Sequence, residues 1–364
     1  MVDGVLVDGG MAEGVSSPAR LQVRPEVVRT RYELDRDELA GLLGDQPGYR
    51  VTQIWEALYR QFRQPQEMTN LPQALRDRLE QRAPAALQVA TEQVSGDRQT
   101  IKTLWRLADG AAVESVLMHY PDRATVCVST QAGCAMACGF CATGQAGFTR
   151  HLSPGEIVEQ VIEGARRAAQ DGRRLSNVVF MGMGEPLANY DRVWTALRRL
   201  HDDVGLSARH LTVSTVGIVP GIIRMAAEPE PVNLAVSLHA ADDELRDRLV
   251  PINRRYPLDE LMDACARYLA AKGRRLSFEW ALIAGVNDRP VDAQRLAARA
   301  RQLRAHVNLI PLNPTPGYGT PGTPPDGVRA FRDRLVDLGV NATVRRNRGT
   351  DIDAACGQLA TTST

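Results

Sequence analysis

One stretch of sequence decides the fold: ATVCVSTQAGCAMACGFCATGQAGF, residues 124–148. Its first seven residues, 124–130, are rich in apolar and β-branched side chains and predict a buried strand. A glycine-rich loop follows at once, and it places Cys134, Cys138 and Cys141 within eight residues. Three thiolates so close together can surround one soft metal centre, either zinc or an iron–sulfur cluster. The stretch therefore predicts a strand that ends in a metal-binding loop.

Predicted strands and helices alternate from this stretch to near the end of the chain. Apolar strands are predicted at 124–130, 177–181, 210–215, 232–238, 275–283 and 306–312, with a last strand at 341–345. Amphipathic helices are predicted from a cap at Ser153, and then at 190–203, 219–227, 257–271, 290–303 and 325–338. Repeated strand–helix units imply a parallel sheet covered by helices. Six such units without a dinucleotide-binding fingerprint favour an α/β fold, a partial (β/α)6 barrel.

The residues before the barrel have a different pattern. Helical spacing of leucines predicts three short helices between residues 32 and 83, and alternation around Asp109 and Gly110 predicts a β-hairpin. We therefore expect five segments along the chain. They are a disordered tail at 1–22, a helical accessory domain at 23–98, a β-hairpin extension at 99–123, the barrel at 124–345 and a C-terminal segment at 346–364.

Composition excludes several classes of protein. Lys and Arg total 44 and Asp and Glu total 43, so the formal charge is +1 and the overall basic charge of many nucleic-acid binders is absent. No run approaches the roughly 18 apolar residues of a transmembrane helix, and the first residues do not resemble a signal peptide. Six cysteines are too few for a disulfide scaffold. We expect a cytoplasmic, monomeric protein that makes no contact with membranes and keeps its thiols reduced.

Chemically distinctive loops follow most of the predicted strands. Besides the cysteine loop, they are GMGEPL, STVG, SLHA and LIPLNPTPGYG, at 182–187, 214–217, 237–240 and 309–319. The carboxyl ends of parallel barrel strands form one face, and that face carries the active site. The convergence of these loops on one face predicts an enzyme.

The spacing CxxxCxxC after the first strand resembles that of radical S-adenosylmethionine (SAM) enzymes. Further motifs in the same order resemble the RlmN/Cfr family of radical SAM RNA adenine methyltransferases over about residues 32–360. These motifs are MGMGEPLANY, STVGIVP, SLHA, VPIN, LIPLNP and RGTDIDAACGQL. The resemblance implies that Cys134, Cys138 and Cys141 hold a [4Fe–4S] cluster, at which SAM is reductively cleaved to a 5′-deoxyadenosyl radical. The SAM contacts that it implies are Gly184, Glu185, Ser214, Ser237, Leu238, His239 and Asn313.

The resemblance also implies a catalytic role for three further residues. Cys356 takes a methyl group from one SAM, and the radical from a second SAM turns that methyl group into a carbon radical that adds to adenine. Glu114 accepts a proton from the adduct, and Cys127 attacks the sulfur of Cys356 to form a disulfide and release the RNA. From the residues alone, Cys127 is an inert strand cysteine and Glu114 an exposed strand glutamate. The arginines within 345–348 would favour the thiolate of Cys356.

The resemblance implies RNA substrates, and it makes the helical accessory domain at 23–98 and the segment at 345–348 the expected RNA contacts. The expected target is C2 of an adenine in the peptidyl-transferase region of 23S rRNA, together with an adenine beside the tRNA anticodon, and methylation at C8 is the alternative. Expected partners also include a flavodoxin- or ferredoxin-type electron donor and a thiol reductant for the disulfide. Two other hypotheses stay open: a radical SAM enzyme for a non-RNA substrate, in which Cys356 is dispensable, and a non-catalytic zinc protein that binds RNA.

Overall fold

The computed structural model describes residues 29–360, so the predicted tail at 1–22 lies outside the described residues. The helices are α1 (Arg36–Leu43), α2 (Tyr49–Tyr59), α3 (Gln73–Arg82), α4 (Ala142–Gln145), α5 (Pro154–Gln170), α6 (Tyr190–Asp202), α7 (Val219–Ala227), α8 (Asp243–Leu249), α9 (Leu258–Lys272), α10 (Pro290–Gln302) and α11 (Pro325–Asp337). The strands are β1 (Leu87–Val94), β2 (Thr100–Leu107), β3 (Ala112–His119), β4 (Ala124–Cys127), β5 (Gln131–Gly133), β6 (Phe148–His151), β7 (Leu175–Phe180), β8 (Leu211–Thr215), β9 (Asn233–Ser237), β10 (Leu276–Leu282), β11 (His306–Pro311) and β12 (Ala342–Val344). None of these helices is both long and apolar enough to cross a membrane.

Ten of the strands form one mixed sheet, in the order β1-β2-β3-β4-β7-β8-β9-β10-β11-β12. Neighbours from β4 through β12 are parallel, and those from β1 to β4 are antiparallel. Most apolar side chains of the parallel strands are buried under the helices, as a parallel sheet requires. The α/β fold with a partial barrel predicted from the alternation is confirmed.

The predicted N-terminal helices correspond to α1, α2 and α3, and they share one hydrophobic core with the barrel. The Trp55 indole donates to Asp203 Oδ1 at 2.9 Å, and the backbone N–H of Ala86 donates to the buried Glu159 at 2.8 Å. These bonds attach α2 and the residues after α3 to the helices that cover the barrel.

The prediction that residues 23–98 are helical is wrong at its C-terminal end, because β1 occupies Leu87–Val94. This strand pairs antiparallel with β2, so the predicted hairpin of β2 and β3 is a three-stranded extension. Nearly every β1 side chain is exposed. Backbone pairing with a neighbouring strand therefore forms β1, and such pairing leaves no apolar alternation in the sequence.

Candidate active site

Two joined cavities open at the carboxyl ends of the parallel strands. The first, here called the cysteine-loop cavity, has a volume of about 1000 Å³ and borders the loop after β5. The second, the arginine cavity, has a volume of about 1150 Å³ and lies between β3, β4 and the C-terminal segment. Both are bordered by Cys141, Thr143, Met181, Gly182, Ile310, Arg345, Cys356 and Gly357. The predicted active-site face therefore exists, and it has two compartments.

The three clustered cysteines all border the cysteine-loop cavity. A short antiparallel pair of β5 and β6 closes the base of their loop, where the Cys134 N–H donates to Gly147 O at 2.7 Å. The Cys141 N–H donates to Cys138 O at 3.1 Å, and Cys141 begins α4. These bonds turn the loop so that its three thiols share one cavity.

The donor set fits an iron–sulfur cluster. Burial raises the pKa of the Cys134 thiol to about 11 and that of Cys138 above its usual range, so bound iron is needed to hold these groups as thiolates. Among the described residues, no three His, Cys, Asp or Glu side chains come close enough to hold a single metal ion. A four-iron cluster contacts each thiolate through a different iron atom and needs no such convergence.

The GMGE loop places a buried carboxylate in the same cavity. Gly184 has a φ of +98°, and a Cβ at this position would lie 2.5 Å from Gln131 Cβ, so only glycine fits. Glu185 is 3% exposed and accepts from the Val216 N–H at 2.9 Å and the Leu187 N–H at 3.1 Å. Burial raises its pKa to about 7, against the lowering effect of these bonds. This group can exchange a proton near neutral pH.

The SLHA loop presents a neutral histidine to the cavity. Burial, with the nearby charge of Arg246, lowers the pKa of His239 to about 3. Its Nδ1 accepts from the Ala281 N–H at 3.0 Å, so the ring proton is on Nε2 and is available to a ligand. The Phe140 ring packs edge-on against it at 4.9 Å between ring centroids. His239 is therefore a hydrogen-bond donor next to the cysteine loop.

Six of the seven predicted SAM contacts border the cysteine-loop cavity: Gly184, Glu185, Ser214, Ser237, His239 and Asn313. Leu238 does not border it. The Leu238 side chain is fully buried, its N–H donates to Glu279 O at 3.0 Å, and its carbonyl accepts from Arg246 Nε at 3.1 Å. Leu238 therefore lies beneath the loop and outside the cavity.

Cys356 stands at the boundary of the two cavities. Its carbonyl accepts from Asn313 Nδ2 at 3.1 Å, and the next carbonyl, of Gly357, accepts from the Ala142 N–H at 2.8 Å. Thr143 Oγ1 donates to Leu359 O at 2.6 Å. The segment that carries Cys356 is therefore fastened directly to the helix that follows the cysteine loop.

Arg345 is the one of the three nearby arginines that reaches the Cys356 sulfur, with Nη1 at 3.8 Å from Sγ. The same nitrogen lies 3.3 Å from Glu279 Oε2. Arg348 instead donates to His119 O at 2.9 Å and lies over the Tyr120 ring at 4.2 Å. Of these arginines, Arg345 is therefore the one in contact with the thiol of Cys356.

Cys127 is the last residue of β4 and borders the arginine cavity with Cys356. It is 8% exposed. Burial raises its pKa to about 12, and the charge of Cys356 adds to that rise. The structure brings together the two thiols that the sequence separates by more than 200 residues.

Glu114 borders neither cavity. It is 4% exposed, lies 3.2 Å from Lys102 Nζ and accepts from the Ala360 N–H at 3.0 Å. Burial raises its pKa, against the attraction of Lys102. The sequence predicted an exposed strand position in the absence of the resemblance, and the structure contradicts that. It shows a carboxylate that fastens the end of the C-terminal segment.

Sequence reasoning missed two charged residues at this site. Glu279 lies in the otherwise apolar strand β10 and accepts from Asn308 Nδ2 at 2.8 Å, and a lone carboxylate in a buried strand was the signal that could have revealed it. Arg246 lies in the helix sequence DELRDRL, which is typical of an exposed helix, yet it is fully buried. No local signal identifies it.

The comparisons with known proteins agree with this geometry. Residues 128–297 match the model of the radical SAM superfamily. The chain is 52% identical to a Frankia alni protein named "Probable dual-specificity RNA methyltransferase RlmN", over 97% of this chain and 88% of that protein. It is 51% identical to a Salinispora tropica protein of the same name, over 94% and 95%. The chain belongs to the RlmN family.

The resemblance inferred from the motifs is therefore confirmed, and membership of the RlmN family implies SAM and a [4Fe–4S] cluster as cofactors. The fold agrees as well. A crystal structure of a radical SAM methyltransferase from Sphaerobacter thermophilus superposes with a TM-score of 0.88 at 50% identity, over 91% of this chain and 99% of that one.

Proposed function

We propose that this RlmN-family chain methylates C2 of an adenine in the peptidyl-transferase region of 23S rRNA and of an adenine beside the tRNA anticodon. The observation that carries the proposal is the position of Cys356 at the boundary of two cavities. One cavity holds the cluster cysteines and the predicted SAM contacts, and the other holds the second thiol. A carrier at this boundary can take a methyl group on one side and deliver it on the other.

The cluster and SAM, when bound, supply the 5′-deoxyadenosyl radical that removes a hydrogen atom from an S-methyl group. The chain itself supplies the carrier. The Cys356 thiolate would attack the methyl carbon of one SAM, forming a methyl thioether and displacing S-adenosylhomocysteine, with the Arg345 guanidinium beside the sulfur. Each turnover therefore consumes two SAM molecules.

Product release requires Cys127. Once the methylene carbon on the Cys356 sulfur is bonded to C2 of adenine, Glu114 accepts the C2 proton. The Cys127 thiolate would then attack that sulfur, which breaks the carbon–sulfur bond and forms a disulfide. The released methylene carbon would take up a proton to become a methyl group, and the unpaired electron of the adduct would pass to a one-electron acceptor such as the bound cluster. Because burial raises the pKa of Cys127, its thiol needs a base at this step. Access of adenine to Glu114 requires the segment around Ala360 to move.

The arginine cavity has the chemistry of an RNA site. Its lining includes Arg345, Arg346, Arg348 and Tyr120, and among residues 29–360 it contains no carboxylate. Arginines suit phosphates, and aromatic rings and apolar walls suit an unstacked base. We place the target adenine in this cavity, and the helical segment α1–α3 is a further RNA-contact candidate.

The remaining requirements follow from the chemistry. The cluster needs a flavodoxin- or ferredoxin-type electron donor. The disulfide needs a thiol reductant, which fits the reducing cytoplasm. We propose that the protein works there as a monomer. A specific test is to express the chain in cells that lack their own enzyme and to digest rRNA and tRNA to nucleosides. We expect 2-methyladenosine with the wild type and none with Cys356→Ala.

Each alternative has its own result in this test. Appearance of 8-methyladenosine alone would replace the C2 assignment with C8. Turnover by a folded Cys356→Ala enzyme on another substrate would favour the non-RNA hypothesis.

A further inference from the structure

Arg246 is a fully buried cation behind the cysteine-loop cavity. Its guanidinium donates to Val216 O at 2.6 Å, to Leu238 O at 3.1 Å and to Ser237 O at 3.3 Å. These carbonyls belong to the STVG and SLHA loops, which follow the neighbouring parallel strands β8 and β9. One side chain therefore joins the two loops that carry the predicted SAM contacts Ser214, Ser237 and His239.

The fourth bond of Arg246 explains a motif that has no catalytic role. Its Nη1 donates at 2.8 Å to Asn253 Oδ1, the last residue of VPIN. The Asn253 amide in turn donates to Asp243 Oδ1 at 2.9 Å and to Asp247 Oδ1 at 2.7 Å. In the described part of the chain, all four hydrogen bonds of Arg246 go to neutral oxygens, and the two carboxylates act on it through the amide.

The loop that Arg246 holds contains a strained residue. His239 has a φ of +58°, a left-handed conformation that is costly for a residue other than glycine. Such a conformation persists only where its surroundings hold it. Arg246 holds the preceding carbonyl, Asn287 Nδ2 donates to His239 O at 2.8 Å, and the Ala281 N–H donates to the ring. The guanidinium is thus one of three restraints on the orientation of His239.

Packing alone does not account for a buried arginine at this position. Removing a charge from water costs free energy that well-placed hydrogen bonds only offset, and an apolar side chain of similar volume often stabilises a core as well or better. An apolar residue would fill the space under the two loops, but it would remove the donor that three loop carbonyls share and leave the two loops unconnected. The arrangement therefore fits a role in fixing loop geometry.

We propose that Arg246 is a positioning residue for SAM, which fixes the STVG and SLHA loops in the arrangement that SAM binds. The inference rests on the proposed function, because it takes the cysteine-loop cavity as the SAM site. Arg246 itself does not border that cavity. Its effect is therefore expected on the affinity for SAM and not on the affinity for RNA.

The test uses the cluster-loaded enzyme as wild type, Arg246→Lys, Arg246→Gln and Arg248→Gln. Arg248 lies on the same helix and is exposed, so its variant is the matched control. The dissociation constants for SAM and for a tRNA anticodon stem-loop are measured by equilibrium dialysis and filter binding. Amide exchange at 214–217 and 237–240 is measured on the same samples.

We expect Arg246→Gln to weaken SAM binding by about tenfold or more, since hydrogen bonds to a charged group are lost. Arg246→Lys should be intermediate, because one ammonium cannot reach every acceptor, and RNA affinity should not change. The amides of both loops should exchange faster in the two Arg246 variants than in Arg248→Gln.

Three results would overturn the inference: wild-type SAM affinity in folded Arg246→Gln, equal loss of SAM and RNA binding, or loop amides that exchange as in the wild type. If Arg246→Gln does not fold, Arg246→Lys decides, and wild-type SAM affinity in that variant overturns the inference. If the wild-type enzyme itself does not bind SAM, the proposed function fails, and that outcome is distinct.

Discussion

The two cavities share a wall but differ in charge. Carboxylates of Glu185 and Glu279 border the cysteine-loop cavity. In the part of the chain that the structure describes, the arginine cavity is bordered by three arginines and no carboxylate. The first suits a ligand with a sulfonium and an ammonium group, and the second suits a polyanion. The difference teaches that charge alone can direct SAM and RNA to opposite sides of Cys356.

The boundary itself is nearly neutral. Arg345 borders both cavities, yet its guanidinium lies 3.3 Å from Glu279, and that carboxylate is further fixed by Asn308 Nδ2 at 2.8 Å. Arg345 can therefore contact the Cys356 sulfur without making the cysteine-loop cavity attractive to phosphate. Substitutions in each cavity should therefore affect SAM binding and RNA binding separately.

The largest loss of enzyme activity is expected for Cys138→Ala. Loss of one cluster ligand should abolish the broad visible absorbance of the anaerobically reconstituted protein, and with it all turnover. RNA binding, which we propose depends on the arginine cavity, should persist in a filter-binding assay. Cys265→Ala is the control, because Cys265 is buried in α9 and borders neither cavity. A wild-type protein that loads zinc and stays colourless would contradict the cluster assignment.

Cys127→Ser should leave both cavities intact and block only the last step. Without the attacking thiol, the carbon–sulfur bond between Cys356 and adenine cannot break, so a covalent RNA–protein adduct should accumulate. A denaturing gel detects the adduct, and mass spectrometry places it on Cys356. Cluster content and SAM affinity should match the wild type. Release of methylated RNA at the wild-type rate would remove Cys127 from the mechanism.

The sequence identifies the parts of the site that lie in short motifs. The three cluster cysteines, Gly184 and Glu185 follow strands whose apolar pattern reveals them, and parallel strands place their carboxyl ends on one face. Cys356 and Cys127 had no such signal. From the residues alone, Cys127 is an inert strand cysteine, and only the family resemblance pairs it with Cys356.

The sequence could not predict what depends on distant backbone groups. β1 forms by pairing with β2 while its side chains stay exposed, so its pattern carries no apolar period. Arg246 has the sequence context of a surface helix, and its partners are carbonyls of other elements. The position of Leu238 beneath its loop likewise depends on bonds to Glu279 and Arg246, which lie in other elements.

Substitution of the arginines tests the RNA side of the comparison. Arg346→Gln with Arg348→Gln should weaken binding of an anticodon stem-loop by about 100-fold, if each lost charge-assisted contact costs about 1.5 kcal/mol. The slope of log affinity against log salt should also fall, because fewer counterions are released. SAM affinity should not change. Arg267→Gln, exposed on α9 and away from both cavities, is the matched control. Equal losses in the double variant and the control would remove the arginine cavity as the RNA site.

The smallest effect is expected from a change of pH, and it concerns the affinity for SAM in the cysteine-loop cavity. Glu185 has a pKa raised to about 7 by burial, so it is mostly ionised at pH 8 and mostly protonated at pH 6. A cationic ligand favours the ionised form, so SAM binding should release a proton and weaken as pH falls through 7, by about tenfold between pH 8 and pH 6. Isothermal titration calorimetry in two buffers of different ionisation enthalpy measures both the affinity and the released proton. Glu185→Gln keeps a hydrogen-bond acceptor but cannot ionise, so its affinity should be low and nearly independent of pH. RNA binding at fixed salt should not follow the same titration, since no carboxylate borders the arginine cavity. If SAM affinity depends on pH in the same way in the wild type and in Glu185→Gln, the charge of Glu185 has no part in SAM recognition.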